Sequence, residues 1–378
     1  MLKYGLLILA ALLPAAPLAE SKTMDITKVD KNFAEVKVQN RPVKYYDAFN
    51  NPLFAVEGFP WRQAGKVLHR LPESVVKTLP NLQGLSRCTA GGAVRFRTNS
   101  KYVAVKIKGI FADMNHMPRN GGAGVDIYEL NDGKWTFRGV TGPSSDDARN
   151  KGSFEALVKR SGNGQMRDYL INLPLYSRVD SMQIGLEPNA ELAKCTPWKV
   201  DKPILFYGSS ITQGGCASHP GNNYPSILCR ELSAEQINLG FSGNAKGEAA
   251  VAEAIAGLKL AAFVMDYDHN APNDEHLKKT HAEFFRIIRK AQPDLPILIL
   301  TRGDWPNPKR TAVIRATYDA AVKAGDKHVY FVDGKEYFAH LPDPGLALVD
   351  GCHPSDFGFY LMYEKVLPVL KKALAEAE

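Results

Sequence analysis

A serine hydroxyl is a weak nucleophile until an imidazole takes its proton and a carboxylate fixes the tautomer of that imidazole. The chain carries all three groups in short motifs. FYGSSITQGG, residues 206–215, sets Ser209 and Ser210 in a glycine-rich turn behind an apolar run, and DGCHP, residues 350–354, places Asp350 and His353 three residues apart in one loop. That spacing lets the carboxylate hold one ring nitrogen while the other faces a serine. An attacked carbonyl becomes an oxyanion and needs donors already in place. GFSGN, residues 240–244, offers the Gly243 N–H with no side chain in the way, and DYDHN, residues 266–270, offers the side-chain amide of Asn270. Each motif alone has a plainer reading, because serines and asparagines beside glycine are common turn formers and a histidine before proline can simply end a loop. Together the four motifs hold the groups that acyl transfer would need.

These motifs need elements to position them, and the two halves of the 378-residue chain differ in pattern. From about residue 40 to 200, short alternating or β-branched runs such as KYVAVKIKGIF, AGVDIYEL, KWTFRGVTG, RDYLINLPL and VDSMQIGLE are parted by Gly, Asn, Pro and Asp. This predicts an antiparallel β-sandwich. After residue 200, compact apolar runs (KPILFYG, INLG, LAAFVMDY, LPILILT, HVYFVD) alternate with stretches of helical period. Strands separated by helices predict a parallel sheet covered on both faces, with its ligand site beyond the carboxyl ends of the strands. GSSITQGG follows the first of those strands. The expected division is residues 20–200 for the sandwich and 201–378 for the α/β domain, after an amino-terminal segment 1–19.

Through YGSSITQG, NLGFSGN, DYDHN and DGCHP the chain resembles the SGNH or GDSL hydrolases over nearly all of residues 203–378. The resemblance implies a flavodoxin-like three-layer α/β/α domain with Ser210 as nucleophile, His353 as base and Asp350 as the group that orients it. It also implies an oxyanion hole made of the Ser210 N–H, Gly243 and Asn270. Two positions depart from the family pattern: Ser209 stands where aspartate is usual, and Ala271 follows Asn270 where a second aspartate is usual. Neither removes a group that does covalent chemistry, but the first leaves two serines to choose between, and Ser210 fills the family position. The stretch MPRNGGAGVDIYE resembles the Gly-x-Asp-Leu-Tyr domain that precedes some of these hydrolases, with Ile127 at the leucine position. That domain resembles the jelly-roll-like sandwich fronting certain carbohydrate esterases, which implies an acylated glycan as substrate.

Other classes fit less well. A P-loop needs a lysine that GSSITQGG lacks, and the α/β-hydrolase elbow needs glycine where Thr212 stands. The net charge of +7 comes from scattered Lys and Arg, so nucleic acid is not expected as a partner. The opening MLKYGLLILAALLPAAPLAESK has the layout of a secretory signal peptide, with Lys3 before an apolar run and cleavage expected after Ala19. Export to the periplasm or the medium follows, and no membrane span is expected. Five cysteines (Cys88, Cys195, Cys216, Cys229, Cys352) form no Cys-x-x-Cys pair, and Asp266, Asp268, His269 and His219 match no defined metal spacing, so neither a metal nor a cofactor is expected. Arg302 and Trp305 lie after the LPILILT strand, where they could touch a sugar. The alternatives to a carbohydrate O-acylesterase are a lipid or small-ester acylhydrolase with the same triad, and a non-catalytic carbohydrate-binding protein.

Overall fold

The alternating runs of the first half form two antiparallel sheets. The computed structural model describes residues 41–63, 65–305 and 307–377, so the expected signal segment and its cleavage after Ala19 lie outside the described residues. One sheet has the order β1 (Lys44–Asp47), β9 (Arg178–Leu186), β4 (Val103–Ile110), β7 (Ser153–Lys159). The other runs β10 (Leu192–Ala193), β3 (Ala93–Thr98), β8 (Arg167–Asn172), β5 (Val125–Asn131), β6 (Lys134–Thr141), with β2 (Ala55–Glu57) also paired to β3. Their facing sides share one core in which Val105, Ile107 and Ile184 meet Val94, Phe96, Ile127 and Ile171. Because side chains alternate across a strand, burying Val125 and Ile127 in this core turns Asp126 and Tyr128 to the opposite face. That face meets the second half of the chain.

The second half builds a parallel sheet in the order β12 (Ala234–Gly240), β11 (Val200–Gly208), β13 (Ala262–Asp266), β14 (Ile297–Leu300), β15 (Val329–Val332). In chain order this is 2-1-3-4-5, and the strand order reverses beside β11, which places a crevice beyond the ends of β11 and β13. The strands read as unbroken apolar runs because both faces are covered. On one face Leu205, Tyr207, Phe263 and Met265 pack against the helices Ala249–Ala256, Asp274–Ala291 and Pro308–Lys323. On the other, Phe206, Val264 and Leu298 pack against α1 (Tyr224–Leu232) and α2 (Asp356–Ala375). The helix starts are fixed by side-chain caps: Asn223 accepts from the Ser226 N–H and Asn273 from the His276 N–H. Among the described residues no helix is long and apolar enough to cross a membrane.

The two halves are tied together by polar contacts as well as apolar ones. Arg70 is wholly buried; it donates through Nη1 to the carbonyls of Asn238 (2.9 Å) and Gly240 (2.7 Å), through Nη2 to Leu85 (2.7 Å) and through Nε to Cys88 (2.8 Å). Its guanidinium also lies 4.7 Å from the Phe241 ring centroid.

Candidate active site

Three loops meet at the crevice: the turn after β11, the loop after β12 and the loop before α2. The first is made possible by glycine. A Cβ on Gly208 would stand 2.1 Å from Thr212 Oγ1, and one on Gly240 would stand 2.2 Å from the Gln213 N, so β11 and β12 must end in bare backbone for the turn to fold over them. Ser209 then caps the single helical turn Ser210–Gln213, its hydroxyl accepting from the Ile211 N–H at 3.1 Å. Ser209 is fully buried, whereas Ser210 is partly exposed. The two serines of the motif are thereby separated: one is a cap and the other faces the crevice.

Ser210 Oγ lies 2.8 Å from His353 Nε2, and His353 Nδ1 lies 2.7 Å from Asp350 Oδ2. Asp350 Oδ1 accepts from the N–H groups of Cys352 (3.0 Å) and His353 (2.8 Å). Burial raises the carboxyl, but those two amides and the imidazole outweigh it and bring Asp350 down to about 2. An ionised carboxylate can only accept, so the ring proton sits on Nδ1 and leaves Nε2 free to take the serine proton. The spacing of three residues and the left-handed Gly351 (φ +80°) let one short loop close this arrangement on itself.

Gly243 adopts φ +65°, and a Cβ there would meet only open space. Among the described residues neither the Ser210 nor the Gly243 N–H has a protein acceptor, so both remain available for an oxyanion. Asn270 differs from its expected part. Its amide nitrogen donates to the carbonyls of Phe241 (3.0 Å) and Asn244 (2.6 Å), which uses both of its hydrogens. Both partners are acceptors, which fixes the amide orientation. In this conformation Asn270 holds the Gly243 loop in shape instead of aiming a donor at the crevice.

Several side chains that the motifs did not single out hold these loops together. Gln213 is buried and bridges them, its amide donating to the Leu175 carbonyl at 3.0 Å while its oxygen accepts from the Ser242 N–H at 2.9 Å. Tyr176 donates to the Ser210 carbonyl at 3.3 Å. Asp266, buried at the end of β13, accepts from the hydroxyls of Thr212 and Tyr224 at 2.8 Å each, and burial pushes its carboxyl up to about 6. The only sequence signal for Gln213 was a long polar side chain inside an otherwise small-residue turn.

The remaining candidates fall into place around this centre. Arg302 is forked onto Asp304 (3.0 and 2.6 Å), which also accepts from His269 at 2.9 Å, so its guanidinium is committed away from the crevice; Trp305 is 69% exposed. Burial works against ionisation of Asp304, yet His269 and Arg302 hold its carboxyl far below the ordinary range. Among the described residues two sets of three possible metal ligands lie within 4.8 Å, His116 with Cys216 and Asp350, and His269 with Cys352 and Asp304. In each the carboxylate is already engaged, by His353 or by Arg302 and His269. Burial pushes the Cys216 thiol up to about 11 and the Cys352 thiol up to about 12, and all five cysteines are unpaired. They pack as neutral thiols and not as nucleophiles.

Residues 201–371 match the family described as GDSL-like lipase/acylhydrolase, and residues 43–192 match the GxDLY domain, the N-terminus of SGNH-hydrolase-type esterases. The chain carries a GDSL-like lipase/acylhydrolase domain. With the GxDLY domain before it, the protein is a carboxylic ester hydrolase of the SGNH type. A Bacteroides ovatus protein described as GDSL-like superposes with a TM-score of 0.78 at 29% identity, covering 88% of this chain and 98% of its own. A salicylyl-acyltransferase from a tetracycline biosynthetic pathway gives 0.70 at 18% identity, covering 89% and 99%. An acetyl xylan esterase from the rumen bacterium Butyrivibrio proteoclasticus gives 0.58 at 13%, covering 89% and 100%. The last two establish likeness of fold alone. No protein of curated function matches the chain.

Proposed function

We propose that this GDSL-like hydrolase is an exported serine esterase that removes O-acyl groups, acetyl above all, from carbohydrate hydroxyls. The observation that carries the reading is the unbroken relay from Ser210 Oγ through His353 to Asp350, with links of 2.8 and 2.7 Å. Ser210 Oγ attacks the ester carbonyl carbon while its proton moves to Nε2. The negative charge that develops on the carbonyl oxygen faces the N–H groups of Ser210 and Gly243. Collapse breaks the bond to the sugar oxygen, which leaves with the proton from Nε2, and the acyl group stays on Ser210. Water then gives its proton to the same nitrogen, attacks the acyl-serine and releases the acid. Asp350 stays ionised throughout and steadies the imidazolium.

Export rests on the signal-peptide layout of residues 1–19, and the glycan on the likeness of fold to carbohydrate esterases. The groove beside Asp350 keeps a second substrate in view. It holds about 590 Å³ and includes Met117, Val349 and Phe357 among its walls, the last two 47% and 45% exposed. Such apolar walls suit a longer acyl chain or a small hydrophobic ester. The deciding experiment measures acid release from acetylated plant glycans and from short and long acyl esters, for the wild type and Ser210→Ala. Acetate release that vanishes in the variant supports the carbohydrate esterase. Preference for long chains selects the lipid reading, and glycan binding without turnover of any ester overturns the catalytic one.

A further inference from the structure

The Gly-x-Asp-Ile-Tyr stretch of β5 presses its two polar residues against the loop that follows the nucleophile turn. Asp126 is wholly buried, and its carboxylate accepts from His219 Nδ1 (2.5 Å), from the Gly221 N–H (2.6 Å) and from the Asn172 amide (2.7 Å). Tyr128 packs against the same loop. A Cβ on Gly221 would stand 2.6 Å from the tyrosine ring, and the Arg230 guanidinium rests 4.0 Å from its centroid. The His219 ring stacks on Phe137 at 4.8 Å. A carboxylate this deep in the fold is costly unless it is hydrogen-bonded, and here three donors reach it.

The far side of the same loop grips the segment that carries the base. Ser218 donates its N–H to Asp356 Oδ1 at 2.8 Å and its hydroxyl to the same carboxylate, and the Asn222 amide donates to Asp356 Oδ2 at 2.8 Å. Asp356 opens α2 three residues after His353. Gly215, at the start of the loop, approaches so closely that a Cβ there would stand 3.1 Å from His353 Cδ2. Residues 218–222 therefore bridge β5 and the helix that follows the base, hydrogen-bonded to Asp126 on one side and to Asp356 on the other.

We infer that Asp126 is a positioning residue for ester hydrolysis: through His219 and Gly221 it fixes the 218–222 loop against Asp356, and so holds His353 in line with Ser210. The inference rests on the triad reading above. It also gives the first domain a task in the chemistry, since displacing a general base by about 1 Å can cost on the order of 100-fold in rate.

The test compares Asp126→Ala, His219→Ala, His219→Asn and Asp356→Ala on p-nitrophenyl acetate, with each preparation normalised by end-point titration with a fluorophosphonate, and Ser210→Ala as the blank. We expect kcat per titrated site to fall roughly 10- to 100-fold in Asp126→Ala and Asp356→Ala while KM stays within about threefold, and the rate of phosphonylation to fall in parallel. His219→Ala should lose about tenfold, and His219→Asn, whose amide can stand in for Nδ1–H, should recover most of it. Should Asp126→Ala not fold, the His219 pair and Asp356→Ala carry the test from the hydrolase side. Wild-type kcat per titrated site in these variants, with only the titrated fraction or the Tm reduced, would show mere cement between the halves and overturn the inference. Equal titration of wild type and Ser210→Ala overturns the triad reading, and this one with it.

Discussion

Two histidine–aspartate pairs in this molecule have nearly the same geometry and different work. In each, an imidazole Nδ1–H meets a carboxylate, at 2.7 Å for His353 and Asp350 and at 2.5 Å for His219 and Asp126. Asp350 belongs to the same loop as its histidine, leans on two backbone amides of that loop, and leaves Nε2 against a partly exposed serine. Asp126 comes from a strand 93 residues away, is closed off by Asn172 and Gly221, and has its histidine stacked on an aromatic ring. The pair itself does not make a catalytic base. The group facing the far ring nitrogen decides.

Replacing each histidine is the harshest way to break this contrast. His353→Ala should lose at least about 10⁴-fold in kcat, against roughly tenfold for His219→Ala, because in the proposed mechanism only the first receives the Ser210 proton. Steady-state rates on a small activated ester measure both, and equal losses would mean that the two pairs are not different in kind. Asp350→Asn should follow at roughly 10³- to 10⁴-fold, since an amide donor in that place favours the tautomer with its proton on Nε2 and turns the base away from the serine. An Asp350→Asn enzyme within tenfold of wild type would show that the backbone amides alone orient the loop.

The loop opposite the base is held by other means, and two variants separate its supports. Asn270→Ala frees the carbonyls of Phe241 and Asn244 and should lower kcat by about 10- to 100-fold, the range expected if Gly243 drifts from its place. A fall of about 1000-fold would mean that the amide swings round to donate to the oxyanion itself. Arg70→Met acts from the other half of the chain. The four carbonyls served by its guanidinium lose their donor, so unfolding in denaturant should show a loss of about 3–5 kcal/mol, while kcat per titrated site falls less than in Asn270→Ala. Unchanged stability would mean that water replaces the guanidinium at no cost.

The parts that could be read from sequence are those encoded locally. Apolar runs alternating with helical stretches gave the parallel sheet, and an Asp and a His three residues apart gave the two members of the relay that share a loop. Ser210 was preferred to Ser209 on the family position alone, and what the sequence did not carry is the physical difference between them: Ser209 accepts from the Ile211 N–H as a cap, while Ser210 meets His353. By alternation alone, Asp126 and Tyr128 are the outward residues of any half-buried strand. Their partners, His219, Gly221 and Arg230, lie in the other domain, and alternation along a strand says which face a side chain takes without saying what covers it. Arg70 was silent for the same reason, since its acceptors are backbone carbonyls of no particular residue type. Asn270 shows the opposite limit: its motif was legible, yet the direction of its amide depends on two carbonyls brought up by a different loop.

Beneath the Ser210 turn lies Asp266, a carboxylate to which no histidine is hydrogen-bonded among the described residues, and it sharpens the comparison through pH. Asp266 accepts from two hydroxyls, which is not enough to offset complete burial, and its carboxyl sits at about 6. Between its ordinary value near 4 and about 6, the folded chain binds a proton that the unfolded chain has released. Stability therefore falls as pH rises through that window, the reverse of the trend set by Asp350 and Asp304, whose lowered values favour the folded state above them. Asp266→Asn removes the burial penalty and keeps an oxygen for Thr212 or Tyr224. The stability of the variant relative to wild type should improve by on the order of 1–3 kcal/mol between pH 4 and pH 7, read from denaturant midpoints. Parallel pH curves would show that the Thr212 and Tyr224 hydroxyls alone hold Asp266 at its ordinary value, and that a buried carboxylate at this sheet edge needs no imidazole to stay charged.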